Sequence, residues 1–226
     1  MLVLAIDSSG KTASVTLCSE DCVIAETSLN CGYTHSQTLM PLIDHIIQIS
    51  NTKLTDIDYI ACASGPGSFT GLRIGAGNAK GLAMGLSKKM VNVSALDALA
   101  YNVYKEHELI VPIMDARRGE VYAAVYRGLN RVTDYIADKI EAVIDIVKDI
   151  NGSAVFLGDG VPVHHKLLLD NGMNIAPIGN NLQRAASVGM LAINKINSGE
   201  VCDPRDFKLF YIRKPQAERE LDIKNV

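Results

Sequence analysis

A chain of 226 residues with 48% apolar and 21% charged side chains can fill one large domain or two lobes of about 100 residues each, and that composition excludes a disordered polypeptide. Its 22 basic and 25 acidic residues leave a net charge of -3, without the basic stripe of a protein that grips nucleic acid by itself. The opening MLVLAIDSSG is interrupted by Asp7, and it is too short an apolar run for a signal peptide or a membrane span. Five scattered cysteines (Cys18, Cys22, Cys31, Cys62, Cys202) read as reduced thiols of a cytoplasmic protein. His164 and His165 adjoin, but no HxxxH or HExxH occurs, so the ligand spacing of a metallohydrolase is missing.

Three strand-like runs come first, Leu2 to Ser8, Thr12 to Cys18 and Val23 to Leu29, separated by gaps that suit antiparallel hairpins. Thr34 is a candidate N-cap for a helix through about Ser50. Tyr59 to Ser64 predicts a buried strand, Thr70 to Ser87 a helix, Met90 to Val93 a strand and Leu96 to His107 a third helix. The order βββαβαβα is that of a ribonuclease H-like lobe, the building block of the actin, hexokinase and Hsp70 group.

The order then restarts. Leu109 to Asp115 and Val121 to Tyr126 predict two strands joined by Ala-Arg-Arg-Gly, with Val132 to Ile136 as the candidate third. Asp138 to Ile150 predicts a helix, Ala154 to Leu157 a strand, and Val163 to Asp170 and Gln183 to Asn197 two further helices. LAIDSSGKTASVTL and PIMDARRGEVYAAVY each set an aspartate at a strand end before a Gly-containing turn and an alternating strand. The chain therefore reads as two α/β lobes, residues 1–104 and a reduced second copy, 105–226. The short, Ile/Asp/Lys-rich stretch 127–153 leaves open whether the second lobe has its third strand, and with it any nucleotide site between the lobes.

In paired lobes of this kind the two hairpins face ATP phosphates. Asp7-Ser8-Ser9-Gly10 has the aspartate and small residues that backbone approach to phosphate requires. Asp115-Ala116-Arg117-Arg118-Gly119 meets the requirement poorly, although the forks of Arg117 and Arg118 can reach a phosphate or a partner's carboxylate. Asp7 has two readings, a vestigial nucleotide contact or a strand-end carboxylate that satisfies turn amides. The loop Ser64-Gly65-Pro66-Gly67-Ser68 carries neither GxGxxG nor GxxxxGK[ST]; a rigid turn with Ser68 or Thr70 as N-cap suits it better.

The helix after that loop holds Gly71, Gly75, Gly77, Gly81 and Gly85, each a loss of about 0.5–1 kcal/mol against alanine. At 100° per residue, Leu72, Gly75, Ala79, Leu82 and Leu86 share a core face, Gly77, Gly81 and Gly85 form an adjoining stripe with Ile74, and Arg73 and Lys80 take a third side. Such a stripe admits close packing, either by the protein's own elements or by another chain. In the preceding helix Leu39, Met40, Leu42, Ile43, Ile46, Ile47 and Ile49 spread over half the circumference, wider than core packing needs. Leu39, Leu42, Ile43, Ile46, Arg73, Ile74, Gly77, Lys80, Gly81 and Gly85 are accordingly the candidate partner-facing residues.

SGPGSFTGLRIG, LAIDSS, HSQTLMPLI, DARRGEVYAA and the closing Tyr211-x-Arg213 with Ala217-Glu218 together resemble the bacterial TsaB (YeaZ) family of tRNA threonylcarbamoyladenosine biosynthesis proteins over essentially the whole chain. The resemblance implies a non-catalytic subunit that forms a heterodimer with the catalytic paralogue TsaD through first-lobe helices and assembles further with the ATPase TsaE. It implies no catalytic residue and no cofactor of its own, ATP or ADP standing at the interface with the partner, tRNA reached through the complex, and no membrane. Two other readings compete: an actin-like ATPase or small-molecule kinase using Asp7 and Asp115, and a homodimeric regulator using the same helices. Arg205, Lys208, Arg213, Lys214 and Arg219 offer a tRNA contact, but acidic neighbours make a solvated mixed-charge tail the simpler reading.

Overall fold

The computed structural model describes residues 1–150 and 152–213. Lys214, Ala217, Glu218 and Arg219 lie outside the described residues. The first half runs β1 (Leu2–Asp7), β2 (Ala13–Ser19), β3 (Val23–Leu29), α1 (His35–Ile49), β4 (Tyr59–Gly65), α2 (Phe69–Gly85), β5 (Lys89–Ser94) and α3 (Ala95–Tyr101). Its five strands lie in the order β3-β2-β1-β4-β5, with β1, β2 and β3 antiparallel and β1, β4 and β5 parallel.

The second half runs β6 (Leu109–Asp115), β7 (Glu120–Ala123), β8 (Tyr126–Arg127), β9 (Asn130–Arg131), β10 (Ile136–Lys139), α4 (Ile140–Ile150), β11 (Ala154–Leu157), α5 (Val161–Asp170), β12 (Asn174–Ile175) and α6 (Ala185–Asn197). The order β10-β7-β6-β11-β12 repeats the first sheet, with β8 and β9 as a small hairpin beside β6. Two ribonuclease H-like halves follow one another. The third strand of the second half is present, as β10 paired antiparallel to β7, four residues long and starting where the candidate run Val132–Ile136 ended. Residues 126–131 fold into the hairpin first, which displaces that strand along the chain. The third helix stops at Tyr101, six residues short of His107: beyond it the backbone closes three-residue turns, and the Asn102 side-chain Nδ2 donates to the Asn180 and Leu182 carbonyls at 3.0 and 3.1 Å.

Alternation along β1 decides what covers the first sheet. Leu4 and Ile6 point into a core with Leu39, Leu42, Ile43 and Ile46 of α1 and Ala76 and Ala79 of α2. Val3 and Ala5 face the opposite side, where Ala185, Val188, Ala192 and Ile193 of α6 close over them. Helix α6, which the sequence order places in residues 105–226, thus packs on the first sheet. In exchange Leu96, Leu99 and Ala100 of α3 pack on Ile110, Met114, Val155 and Leu157 of the second sheet, whose other face is covered by α4 and α5 through Val143, Ile144, Val147, Val161 and Leu168. Each fully buried leucine or isoleucine contributes roughly 1.5–3 kcal/mol, so the two halves are joined by apolar burial on both sides.

Polar links reinforce the junction. Asp97 on α3 accepts the hydroxyls of Tyr126 at 2.6 Å and Tyr135 at 3.0 Å. Ser187 on α6 donates to Asn102 at 2.7 Å.

Candidate functional site

Two regions collect the residues singled out by the sequence. One is a cleft of about 430 Å³ between the halves, lined among others by Ser9, Gly10 and Lys11 from the first hairpin, Asp115 to Arg118 from the second, Asp159, Tyr211 and Arg213. The other is the outer face of α1 and α2.

At the cleft, Asp7 ends β1, and its Oδ1 accepts the Ser9 amide at 2.9 Å and the Ser9 hydroxyl at 2.6 Å. This is the local turn role of a strand-end aspartate. The carboxylate is fully buried, its Oδ2 has no hydrogen-bond partner, and it does not line the cleft. Burial pushes its pKa up to about 6, against the downward pull of the Ser9 contacts, and the neighbouring Asp159 adds to the rise. Asp159, raised chiefly by its own burial, accepts the Asp115 amide at 3.2 Å. Ser8 is buried as well, its hydroxyl donating to the Gly71 carbonyl at 2.9 Å.

The second hairpin is built differently. Arg117 and Arg118 both take left-handed backbone conformations, with φ of 69° and 56°, at a cost of roughly 1–2 kcal/mol per non-glycine residue. The Arg117 amide donates to the Asp115 carboxylate at 2.9 Å, so the carboxylate is engaged by its own turn. Both arginines are exposed at the cleft rim. The sequence brings Ser9, Asp115, Arg117 and Arg118 to one cleft but leaves Asp7 and Ser8 behind it.

A nucleoside triphosphate with its magnesium does not fit this arrangement. The carboxylate that should face metal-bound water is buried, the second loop carries two arginines where close backbone approach favours glycine, and Tyr211 and Arg213 add their side chains to the cleft lining. Among the described residues no three His, Cys, Asp or Glu side chains form a group able to hold a metal ion.

Ser68 caps α2, accepting the Gly71 amide at 3.3 Å. The five glycines of this helix divide sharply. A Cβ at Gly71 would run into the Ser8 carbonyl oxygen and one at Gly75 into the Ser8 hydroxyl, so these two are required for the helix to approach the end of β1. A Cβ at Gly77, Gly81 or Gly85 would meet none of the described residues within 4 Å. All three are exposed, and Met84 beside them is 59% exposed. Self-packing therefore accounts for Gly71 and Gly75, and no described residue covers the stripe Gly77, Gly81, Gly85.

Leu39, Leu42, Ile43 and Ile46 of α1 are buried in the protein's own core, which corrects their expected place on a partner surface. The arc is wide because α1 packs on strands β2 and β3 as well as on α2. Of its apolar residues α1 presents Met40, 45% exposed, Pro41 and Ile49, 57% exposed, outward, among the polar Gln37, Asp44, His45 and Gln48. Ile74 is partly buried against the same core. Arg73 is exposed and lies over the Phe69 ring, 3.7 Å from its centre, and Lys80 lies 6.0 Å from the centre of the Phe207 ring.

Sequence reasoning missed Asp97 and Asp159, and it singled out Tyr211 only as part of the closing motif, not as a residue of the cleft. A signal existed only for Asp97, the Ser94-x-x-Asp97 spacing of a capped helix start: the Ser94 hydroxyl accepts the Asp97 amide at 3.4 Å, which leaves the carboxylate for the two tyrosines.

The model of the family described as TsaD: tRNA N6-adenosine threonylcarbamoyltransferase matches residues 30–211. The tRNA threonylcarbamoyladenosine biosynthesis protein TsaB of Escherichia coli is 31% identical over 230 residues, covering 98% of each chain. The chain belongs to the TsaB family. TsaB of Bacillus subtilis is 34% identical over 174 residues, 75% of this chain and 76% of that one. YeaZ from Pseudomonas aeruginosa has the same fold, with a TM-score of 0.79 at 26% identity over 93% of this chain and 99% of that structure. No helix among the described residues of this TsaB-family chain is long and apolar enough to cross a membrane.

Proposed function

We propose that this TsaB-family chain serves tRNA threonylcarbamoyladenosine biosynthesis as a non-catalytic subunit that binds the catalytic paralogue TsaD through the outer face of α1 and α2. The observation that carries the reading is the glycine stripe Gly77, Gly81 and Gly85, which no described residue covers although every member weakens the helix. Flanked by Met84 and by Arg73, it accepts a second helix at close range, the partner's side chains filling the groove that Cβ atoms would otherwise occupy. The sealed Asp7 and the two arginines of the second hairpin support a subunit without chemistry of its own. In this reading TsaE joins the assembly, tRNA is reached through the complex, and ATP or ADP belongs to the interface with the partner. A homodimer through the same stripe competes with the heterodimer, because both use one surface.

The test has two arms. Gly81→Leu should abolish co-sedimentation with TsaD while its far-UV spectrum and melting stay native; wild-type affinity in the variant would remove the proposed surface. Reconstituted tRNA modification with intact TsaD should stop when this chain is withheld. Modification at full rate without it would end the proposal.

A further inference from the structure

The last described residues cross from one half of the protein to the other. The Cys202 amide and carbonyl pair with those of Met90, both at 2.9 Å. Asn92 on β5 donates to the Lys208 carbonyl at 3.4 Å, and Phe207, 3% exposed, is buried in the core beneath the first sheet. The Phe210 amide then donates to the Ser64 carbonyl at 2.8 Å. The strap lies so close here that a Cβ at Gly65, whose φ is +116°, would run into the Phe210 carbonyl oxygen. Up to this point the segment belongs to the first half.

Its remainder belongs to the cleft and the second half. The Tyr211 ring packs on Phe69 with centres 5.2 Å apart, and the Phe210 ring meets Tyr135 at 5.2 Å. Arg213 reaches across to the Glu120 carboxylate and the Ala137 carbonyl, on β7 and β10. Tyr211 and Arg213 both line the cleft. We propose that residues 207–213 form an interlobe latch, anchored on the first half by Phe207 and hooked onto the second by Arg213, that sets the opening of the cleft. The two ends differ in kind. The anchor rests on a buried aromatic ring and paired backbone, whereas the hook rests on one guanidinium with its two acceptors and on the Phe210–Tyr135 ring contact. Release therefore begins at Arg213 and leaves Phe207, and Tyr211 on Phe69, in place. The latch needs no partner chain, so it stands or falls independently of the proposed pairing with TsaD.

Hydrogen exchange on the full chain tests it. In the wild type the Phe210 amide should be protected. Arg213→Ala should speed its exchange about tenfold, as loss of a charge-assisted contact implies, and should raise exchange in residues 115–119, with β1 and β4 unchanged. Arg213→Lys, which keeps the charge without the fork, should fall between. An unprotected Phe210 amide in the wild type, or unchanged exchange in Arg213→Ala, overturns the latch. If Arg213→Ala loses protection in β1 and β4 as well, wild-type exchange in high salt decides. Faster exchange confined to residues 209–213 and 115–119 supports the hook, and uniform protection refutes it.

Discussion

The hydroxyl of Tyr126, in the second half, donates to the carboxylate of Asp97, in the first, across 2.6 Å. Tyr135 donates to the same oxygen at 3.0 Å, so one carboxylate on α3 gathers two phenols from the other half. Burial and the nearby Asp97 charge keep the Tyr126 phenol far above its usual pKa, and it remains a donor at every physiological pH. Hydrogen bonds to a charged acceptor contribute about 1.5–3 kcal/mol. Tyr126→Phe should lose about that much in urea unfolding. Asp97→Ala should lose more, because both phenols are then stranded. The double variant should lose less than the sum; strict additivity would show that the residues do not act as a unit.

The glycines of α2 should respond with opposite signs. Gly81→Ala adds a methyl to open space and improves helix propensity, a gain of about 0.5–1 kcal/mol. Gly75→Ala drives a Cβ into the Ser8 hydroxyl, which donates to the Gly71 carbonyl, and should lose about 1–3 kcal/mol through overpacking. Thermal melts of the two variants measure this directly. A stabilised Gly75→Ala would mean that Ser8 does not hold α2 as described.

Asp7 predicts a pH dependence. Its folded pKa, about 6, exceeds the 3.8 of the free side chain, so between those values the native chain holds more protons than the unfolded one. Stability from this group is full below about pH 3.8 and is lost as pH rises through about 6. A difference of about two units corresponds to roughly 3 kcal/mol. The difference in unfolding free energy between Asp7→Asn and wild type should therefore grow from pH 4 to 7 and then level off. Parallel curves for the two proteins would remove this role for the buried carboxyl.

Thiol reactivity should sort the cysteines by place. Cys22 and Cys31 are exposed, and Cys18 and Cys62 are buried. Burial pushes the Cys18 thiol up to about 12 and Cys62 higher still. With a colorimetric disulfide reagent at pH 8, Cys22 and Cys31 should react at once, Cys202 more slowly, and Cys18 and Cys62 only on unfolding. Rapid reaction at Cys62 would contradict its burial beside Asp7.

Most of the fold could be read in the sequence because the two hairpins repeat and the turn residues separating the strands are unambiguous. Ser68 at the start of α2 and the stripe of Gly77, Gly81 and Gly85 were legible for the same local reason: position on a helix follows from spacing alone. Three features were not. The apolar arc of α1 was visible, but only the tertiary contacts show that Leu39 and Ile46 spend it on strands β2 and β3. Strand β10 was hidden by the β8–β9 hairpin, which uses two-residue strands too short for any period. The sealing of Asp7 and the crossing of Tyr211 and Arg213 over the cleft join residues distant in the chain, Arg213 with Glu120 and Tyr211 with Phe69, and no local pattern reports that.

The exchange of α3 and α6 between the sheets has a consequence for how the chain is made. While a ribosome extends the protein, β1 through β5 can pair as soon as residue 94 has emerged, yet Val3, Ala5 and Val91 stay bare until α6 arrives with Ala185 to Ile193. About 100 residues at 5–20 per second separate the two events, several seconds in which a finished sheet shows an oily underside. A nascent chain of this protein should therefore engage a chaperone between those lengths and release it only once α6 has docked.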